Sequence, residues 1–182
     1  MKNRTSEEVE RRIAIAWKKY WSLKTVFKAD LPIHLKKKVM DSHILPALTY
    51  GCQTWIPTHE ILRKIRTFQR SVERSMLGIK LKDKLSCKKI RAHTQITDAL
   101  QTIAIQKWKW AGHTARQTDN RWSERVLHWY PKEGKRRPGR PNKRWEDDIV
   151  ATAGNLWTRV AQDRAKWRKI EEAYVQQWTP RN

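Results

Sequence analysis

The chain has 182 residues, 38% of them hydrophobic, so it is long enough to form one ordinary domain or two small ones with a buried core. Its 40 Lys and Arg residues against 18 Asp and Glu residues give a net charge of +22, which favours RNA or DNA as the partner. Two cysteines far apart and six histidines without ligand-like spacing predict no disulfide, no metal site and a reducing compartment.

A membrane partner is not expected either. No apolar run approaches the roughly 20 residues that a membrane-spanning helix needs. The N-terminal segment lacks the apolar core of a secretory signal. The protein is therefore expected inside the cell, in the nucleus or the cytoplasm.

The first predicted elements are two helices. Apolar residues recur at steps of three and four from Val9 to Phe27, which predicts an amphipathic helix that ends near residue 28. Residues 5–8 have the spacing of a capping box at its start. A second helix is expected over residues 33–50, with a kink at Pro46.

The sharpest amphipathic pattern lies between residues 58 and 77, and Gly78 is expected to end this helix. Its apolar side chains share one side of the helix: Ile61, Ile65, Phe68, Val72 and Met76. The opposite side carries four arginines: Arg63, Arg66, Arg70 and Arg74. Such a stripe is either a solvated helix face or a phosphate-binding surface, and the excess charge of the chain makes these arginines candidate nucleic-acid contacts.

Basic character continues over residues 79–91, which hold six Lys and Arg residues and one Asp. Ser86 is the predicted N-cap of a short helix there. Apolar spacing then predicts a helix from residue 96 to about residue 116, with Gly112 near its end. Residues 121–129 fit a short helix or a strand, with helix favoured. No strand pattern is convincing, so the predicted fold is all-α, an irregular bundle of about six helices.

A basic linker is expected between residues 131 and 144, where seven Lys and Arg residues stand against one Glu. Pro138 and Pro141 lack an amide donor and flank Gly139, so the segment is predicted to be an exposed, mobile connection. It is similar to an AT-hook, but Pro138 replaces an arginine of that motif, which favours general phosphate binding instead. The candidate contacts are Arg136, Arg137, Arg140, Lys143 and Arg144.

Asn142 is predicted to cap a helix that extends from about residue 143 to residue 153. The carboxylates of its first turn, Glu146, Asp147 and Asp148, complement the helix dipole. Adjacent side chains of a helix point about 100° apart, so this pair of Asp residues is expected to cap the helix rather than to bind two catalytic metal ions. The chain also lacks nucleotide-binding and hydrolase motifs, so on its own it is not expected to be an enzyme or to hold a cofactor. One more helix is predicted over residues 156–178.

Eleven tryptophans are an unusual number for this length. A small helical bundle can bury such rings, or they can stack on the bases of a single-stranded nucleic acid. The core is the expected place of the tryptophans at helical spacing with other apolar residues: Trp17, Trp145, Trp157 and Trp167. Flanking cations make three others candidates for stacking: Trp108, Trp122 and Trp129. Lys107 and Lys109, beside Trp108, are the accompanying candidate phosphate contacts.

Five blocks of the sequence, taken in order, together resemble one protein family. They are ILPALTYGCQTW, RSVERSMLGIKLKDK, KWKWAGHTARQTDNRW, RRPGRPNKRWEDDI and AQDRAKWRKIEEAYVQQW. These blocks resemble the C-terminal part of the endonuclease-reverse transcriptases of non-LTR (LINE-type) retrotransposons, particularly those of the RTE kind. The resemblance spans nearly the whole chain, and five blocks are far more specific than any one of them.

The resemblance implies a piece of an enzyme rather than a whole one. In that family the polymerase palm, which binds Mg²⁺, and an endonuclease domain precede these blocks, and neither is in this sequence. The expected domains are a thumb-like helical region (1–130), the basic linker (131–144) and a C-terminal helical pair (145–182). Together they are expected to hold template RNA and target DNA without reading their sequence.

Two alternatives stay open. The chain could complete an active reverse transcriptase whose upstream palm is encoded separately, or it could be a transposon remnant without a function. One departure from some relatives is clear, because a C-terminal Cys/His zinc knuckle is not possible with two cysteines.

Overall fold

The computed structural model describes residues 4–117 and 143–178. In these residues the regular elements are helices and helical turns, without a strand, so the predicted all-α class is confirmed. The chain divides into two compact units: Met1–Gly51 with His59–Thr102, and Cys52–Thr58 with Ile103–Asn182. The boundaries predicted near residues 130 and 144 lie in or beside the undescribed part of the chain, so that division stays a prediction.

The first unit contains six helices and the start of a seventh. They are α1 (Arg4–Ser22), α2 (Lys24–Lys28), α3 (Ile33–Val39), α4 (Leu45–Thr49), α5 (His59–Leu77), α6 (Cys87–Thr94) and the first residues of α7 (Ala99–Ala115). α1 packs against α4 and α5, and α5 packs against α6. The core of this unit is apolar and includes Val9, Tyr20, Phe27, Ile44, Leu48, Ile61, Ile65 and Val72.

The first predicted helix is shorter than expected and is followed by a separate turn of helix. α1 ends at Ser22, whose hydroxyl donates to the carbonyl oxygen of Lys19 at 2.8 Å, a bond that competes with the helical pattern. Thr5 lies inside α1 and so does not cap it. The carboxylate of Glu8 accepts hydrogen bonds from Arg11 and Arg12, so the predicted capping box is wrong.

The second predicted helix is interrupted before Pro46. A π-helical turn, Met40–Ile44, separates α3 from α4, and the backbone N–H of Leu45 donates to the carbonyl oxygen of Met40, five residues earlier. Proline has no N–H, and its ring clashes with the carbonyl group four residues before it. The wider π-helical turn accommodates this clash, so the expected kink takes the form of a local change in helix type.

The helix predicted over residues 58–77 is confirmed as α5, and Gly78 follows it with φ 69°. Two polar side chains on its buried side connect it to the chain that follows. Gln69 accepts the backbone N–H of Ala99 at 2.9 Å and donates to the carbonyl oxygen of Thr97 at 3.2 Å. Glu73 accepts a hydrogen bond from Arg91 at 3.2 Å. These bonds satisfy polar groups that burial would otherwise destabilise.

The described residues of the second unit form a 3₁₀ turn (Cys52–Thr54), the rest of α7 and four short helices: α8 (Asp147–Ala153), α9 (Trp157–Gln162), α10 (Arg164–Lys169) and α11 (Glu171–Trp178). The single helix predicted over residues 156–178 is therefore wrong. Asp163 breaks it, because its extended backbone starts a new helix and its carboxylate accepts the N–H groups of Ala165 and Lys166 at 2.9 and 3.0 Å.

Two tryptophans stack at the centre of the second unit. The rings of Trp108 and Trp167 lie 3.8 Å apart and 6° from parallel. Each indole N–H donates to the backbone carbonyl oxygen of the other residue, at 3.1 and 3.2 Å. Gly112 makes this possible, since a Cβ atom there would lie 2.4 Å from Nε1 of Trp167. Gly112 lies within α7, three residues before the helix ends at Ala115, so the predicted end near residue 116 is confirmed.

Candidate nucleic-acid interface

The four predicted arginines lie on the outer side of α5. Arg63 is exposed, while Arg66, Arg70 and Arg74 are half-buried. The guanidinium group of Arg74 donates to the carbonyl oxygen of Arg70 at 3.5 Å and lies 3.9 Å from Sγ of Cys87, at the start of α6. The stripe thus extends along α5 to the neighbouring helix.

The segment before α6 and the first turn of α6 add lysines to this surface. Their exposed cations are Lys80, Lys82, Lys84, Lys88 and Lys89. The one carboxylate of the segment, Asp83, accepts the backbone N–H of Lys80 at 2.7 Å. Ser86 caps α6 as predicted and accepts the N–H of Lys89 at 3.3 Å. We call these five lysines and the four arginines of α5 the α5–α6 basic surface.

Nearby carboxylates of the first unit bind other cations. Lys64 forms ion pairs with Glu10 and Glu60, both at 2.6 Å. Arg91 pairs with Glu73 at 3.2 Å. Burial raises the pKa of Glu73, and the charge of Arg91 opposes this rise. The Lys64–Glu10 pair connects α5 to α1, the Arg91–Glu73 pair connects α6 to α5, and the Lys64–Glu60 pair lies within α5.

In the second unit, Lys107 is in the core. Its side chain has 0% exposed area. The ammonium group donates to both carboxylate oxygens of Asp148, at 2.9 and 3.0 Å, and to the carbonyl oxygen of Trp145 at 2.7 Å. It also lies 4.7 Å from the centre of the Trp145 ring. The prediction that Lys107 contacts a phosphate is wrong, because its donors are already used inside the protein.

The carboxylates of Asp147 and Asp148 face different partners. Asp147 is exposed and accepts the backbone N–H of Arg144 at 2.7 Å, as expected of a carboxylate in the first turn of a helix. Asp148 is buried and accepts hydrogen bonds from Lys107 and from the hydroxyl of Tyr174, at 2.7 Å, so the capping role predicted for it is wrong. Among the described residues no group of three His, Cys, Asp or Glu side chains could hold a metal ion.

Burial shifts the proton affinity of three groups in this core. It lowers the pKa of Lys107 from 10.5 to about 8, against the opposing charge of Asp148. It raises the pKa of the Cys52 thiol to about 12. Burial and the charge of Asp148 together raise the pKa of Tyr174. The folded second unit therefore holds the Lys107 proton less tightly than the unfolded chain does.

This difference predicts a pH dependence of stability. Above about pH 8 the unfolded chain binds more protons at Lys107 than the folded chain, so this residue raises the free energy of unfolding by about 1 kcal/mol between pH 8 and pH 9. Cys52 and Tyr174 act in the opposite direction as they ionise in the unfolded chain, around their ordinary pKa values of 9.0 and 10.0, so the effect of Lys107 is the larger one between pH 8 and pH 9. Urea denaturation at closely spaced pH values measures the slope.

The matched comparison uses an apolar variant, Lys107→Met/Asp148→Leu/Tyr174→Phe, which has no titrating group at this position. We expect the slope between pH 8 and pH 9 to be smaller in the apolar variant than in the wild type. Lys109→Met, which removes an exposed lysine two residues away, should keep the wild-type slope. Equal slopes in the wild type and the apolar variant would contradict the assignment.

The tryptophans divide between core and undescribed chain. Trp157 and Trp167 are buried, which confirms their predicted place in the core. Trp17 and Trp145 are half-buried. Trp17 packs on the buried ring of Phe68, and the indole N–H of Trp145 donates to the carbonyl oxygen of Gln53 at 2.7 Å. Trp108 was a candidate for base stacking, and this is wrong because its ring is fully buried against Trp167.

The remaining predicted contacts are only partly described. Lys109, Lys143 and Arg144 are exposed, and the ammonium group of Lys143 donates to the carbonyl oxygen of Pro57 at 2.9 Å. The other candidates lie outside the described residues: Trp122, Trp129, Arg136, Arg137 and Arg140. Asn142, the predicted cap, also lies outside them, and the helix begins at Asp147, later than predicted.

Membrane and redox features were also predicted. None of the described helices combines the length and the apolar character that crossing a bilayer requires. Cys52 and Cys87 are free thiols, and Sγ of Cys52 donates to the side-chain oxygen of Gln106 at 3.0 Å. The thiol of Cys52 is thus a buried core group with a raised pKa, which makes it a poor nucleophile.

Comparison with known proteins indicates the origin of the chain. No family model and no solved structure matches the chain. The chain is similar to a transposon-derived protein of Caenorhabditis elegans. The two are 32% identical over 181 residues, which covers 92% of this chain and 65% of the relative. The chain therefore spans just under two thirds of the length of this curated relative, and the match supports a transposon origin.

Within this transposon-related chain, the structure separates the predicted site residues into two groups. The four arginines of α5 lie together with the lysines before and within α6, on the surface of one unit. Lys107 and Trp108 belong to the core of the other unit. Sequence reasoning did not find the partners of Lys107, namely Asp148 and Tyr174, and it did not single out Trp21, an exposed aromatic residue of α1.

Proposed function

We propose that this chain is a fragment of a non-LTR retrotransposon reverse transcriptase that binds RNA and DNA without reading their sequence. The five sequence blocks that resemble this family and the transposon-derived relative support the proposal. In it the chain has no catalytic centre of its own, and the Mg²⁺ of the polymerase belongs to an upstream palm. The protein acts in the nucleus or the cytoplasm, where its nucleic-acid partners are.

The observation that carries the proposal is the α5–α6 basic surface. Its arginines are spaced along one helix, so they can contact successive phosphates of a strand or a duplex. Contacts to phosphates set the position of a protein on nucleic acid but carry no sequence information. A thumb that must hold any template needs this kind of contact.

A second nucleic-acid contact is made by the basic linker and by an exposed lysine of the second unit. Arg136, Arg137, Arg140, Lys143 and Arg144 provide it in the linker, and Lys109 adds a charge on α7. Trp122 and Trp129 stay candidates for stacking on unpaired bases. In this proposal the arginines and lysines of the linker bind the phosphates of a single-stranded nucleic acid, in addition to the phosphates bound by the arginines of α5.

The first test measures the salt dependence of binding. In Arg63→Gln/Arg66→Gln/Arg70→Gln, the slope of log affinity against log salt for an RNA/DNA hybrid should fall by about 2–3, since each lost phosphate contact removes about 0.7–0.9. Fluorescence anisotropy with labelled hairpin RNA, hybrid, single-stranded DNA and duplex DNA gives the slopes. Circular dichroism checks that each variant is folded.

The control removes the same charge from another surface. Lys166→Gln/Arg168→Gln/Lys169→Gln changes three exposed residues of the second unit and should leave the slope nearly unchanged. Arg137→Ala/Arg140→Ala/Lys143→Ala tests the linker in the same way. If the wild type binds every nucleic acid weakly and the variants bind with the same affinity and salt slope, the proposal is wrong and the remnant alternative is favoured. Addition of an upstream palm that restores polymerase activity would support the subunit alternative.

A further inference from the structure

Trp21 is the most exposed tryptophan of the described residues, with 52% of its surface open to solvent. Its ring is held from the protein side. Trp17 stacks on it at 5.9 Å and 19° from parallel, and the buried ring of Tyr20 contacts it edge-on at 5.4 Å. Trp17 in turn packs on Phe68 of α5 at 5.0 Å. The indole is thus fixed in place and open on its outer side.

The charge around Trp21 has one sign. Residues 11–29 contain six Lys and Arg residues and no Asp or Glu. They include four exposed lysines of α1 and α2: Lys18, Lys19, Lys24 and Lys28. Lys18 precedes Trp21 by three residues within α1, so the two side chains share a side of that helix. The ammonium group of Lys24 lies 5.5 Å from the centre of the Trp21 ring.

A fixed, open indole among cations fits one class of ligand in particular. An anionic membrane would also attract cations and tryptophan, but a helix that lies on a membrane needs a wide apolar face. The apolar face of α1, with Val9, Ala16 and Tyr20, is buried in the core of the unit, which leaves Trp21 as a single outer ring. A strand with unpaired bases needs only one ring for each base and cations for its phosphates.

We propose that Trp21 is a stacking platform for an unpaired base of single-stranded RNA or DNA, whose phosphates bind the lysines of α1 and α2. The inference rests on the proposed function and makes it more specific. In a duplex the bases are already stacked on each other, so this platform selects single-stranded segments. It is a site separate in sequence from the α5–α6 basic surface, which needs only phosphates. Because the ring is already held by Trp17 and Tyr20, little side-chain freedom is lost when a base stacks on it.

The test distinguishes the contribution of base stacking to the affinity from the contribution of phosphate contacts. Anisotropy is measured with oligouridylate and oligothymidylate of about ten nucleotides, with an abasic oligomer of the same length, and with duplex DNA. Trp21→Ala should weaken binding to the two base-containing strands by about 5- to 100-fold. It should leave the abasic oligomer, the duplex and the salt slope unchanged. Comparison of the two base-containing strands distinguishes RNA from DNA.

Two further variants make the result specific. Trp21→Tyr keeps an aromatic ring and should recover most of the lost affinity. Tyr50→Ala removes another exposed aromatic ring, which is 68% exposed and covered by the guanidinium group of Arg12 at 4.4 Å, and should change nothing. Equal losses in Trp21→Ala and Tyr50→Ala would overturn the assignment to Trp21.

The outcomes also separate this inference from the proposed function. If Trp21→Ala binds oligouridylate like the wild type while Arg63→Gln/Arg66→Gln/Arg70→Gln lowers the salt slope, the platform is wrong and the proposed function stands. If the wild type binds none of the nucleic acids, both are wrong. Loss of binding to anionic phospholipid vesicles in Trp21→Ala, with oligomer binding intact, would overturn the inference in favour of a membrane surface.

Discussion

Replacing Lys107 with methionine is expected to lower the free energy of unfolding of the second unit by about 3–5 kcal/mol. The substitution leaves the carboxylate of Asp148 buried with the hydroxyl of Tyr174 but without a countercharge. It also leaves the carbonyl group of Trp145 without the donor that now lies 2.7 Å away. A buried charge without its partner is among the most destabilising changes known for a single substitution.

Urea denaturation of the full chain, followed by tryptophan fluorescence, measures the change. The apolar variant, Lys107→Met/Asp148→Leu/Tyr174→Phe, should recover most of the lost stability, because the whole polar group is then replaced by side chains of similar size. Lys109→Met, on the exposed side of α7, should stay within about 0.5 kcal/mol of the wild type. A cost below about 1 kcal/mol for Lys107→Met would show that water reaches this group.

The second large effect concerns the stacked tryptophans. Trp167→Ala is expected to cost about 3–5 kcal/mol, because it leaves a cavity beside Trp108 and removes both the stacked ring and the indole N–H that donates to the carbonyl oxygen of Trp108. Gly112→Ala should also destabilise the wild type, by about 1–3 kcal/mol, since its new Cβ atom meets the Trp167 indole at 2.4 Å.

The effect of Gly112→Ala on the free energy of unfolding should change sign when Trp167 is also replaced. In the Trp167→Ala background, Gly112→Ala meets open space and replaces a glycine inside a helix, so it should stabilise the protein by about 0.5–1 kcal/mol. Denaturation of the four proteins of this double-mutant cycle measures the coupling. A Gly112→Ala effect of the same sign in both backgrounds would mean that the glycine has a role other than making room for Trp167.

The sequence predicted some parts of this protein well. α5 was correct because its apolar residues and its arginines separate cleanly at 100° per residue, so a local pattern was enough. Lys107 was placed on the surface because lysines are rarely buried. Its position was nevertheless visible, since it follows Leu100 and Ile103 at helical spacing on the side of α7 that is buried. Its partner Asp148 is 41 residues away and could not be found from a local pattern.

The breaks between helices were harder to predict. Residues 156–178 keep apolar residues at helical spacing, and only Asp163, an N-cap residue within that pattern, indicates that the chain starts again. At Pro46 the sequence predicted a disturbance but not its form, because a kink and a π-helical turn both avoid the clash of the proline ring. The arginines of α5 could be predicted because their positions follow from the pattern of a single helix. The position of Trp108 could not, because it depends on packing between residues that are far apart in the sequence.

The segment Cys52–Thr58 is in the second unit, although the chain on both sides of it belongs to the first. It contributes the buried Trp55 and the carbonyl groups that accept hydrogen bonds from Trp145 and Lys143. The two units are therefore interleaved along the chain, and no single cut releases either of them whole. A chain shortened to begin at residue 103 lacks a piece of the second core, and folding of that core has to wait for a contact that spans about half of the sequence.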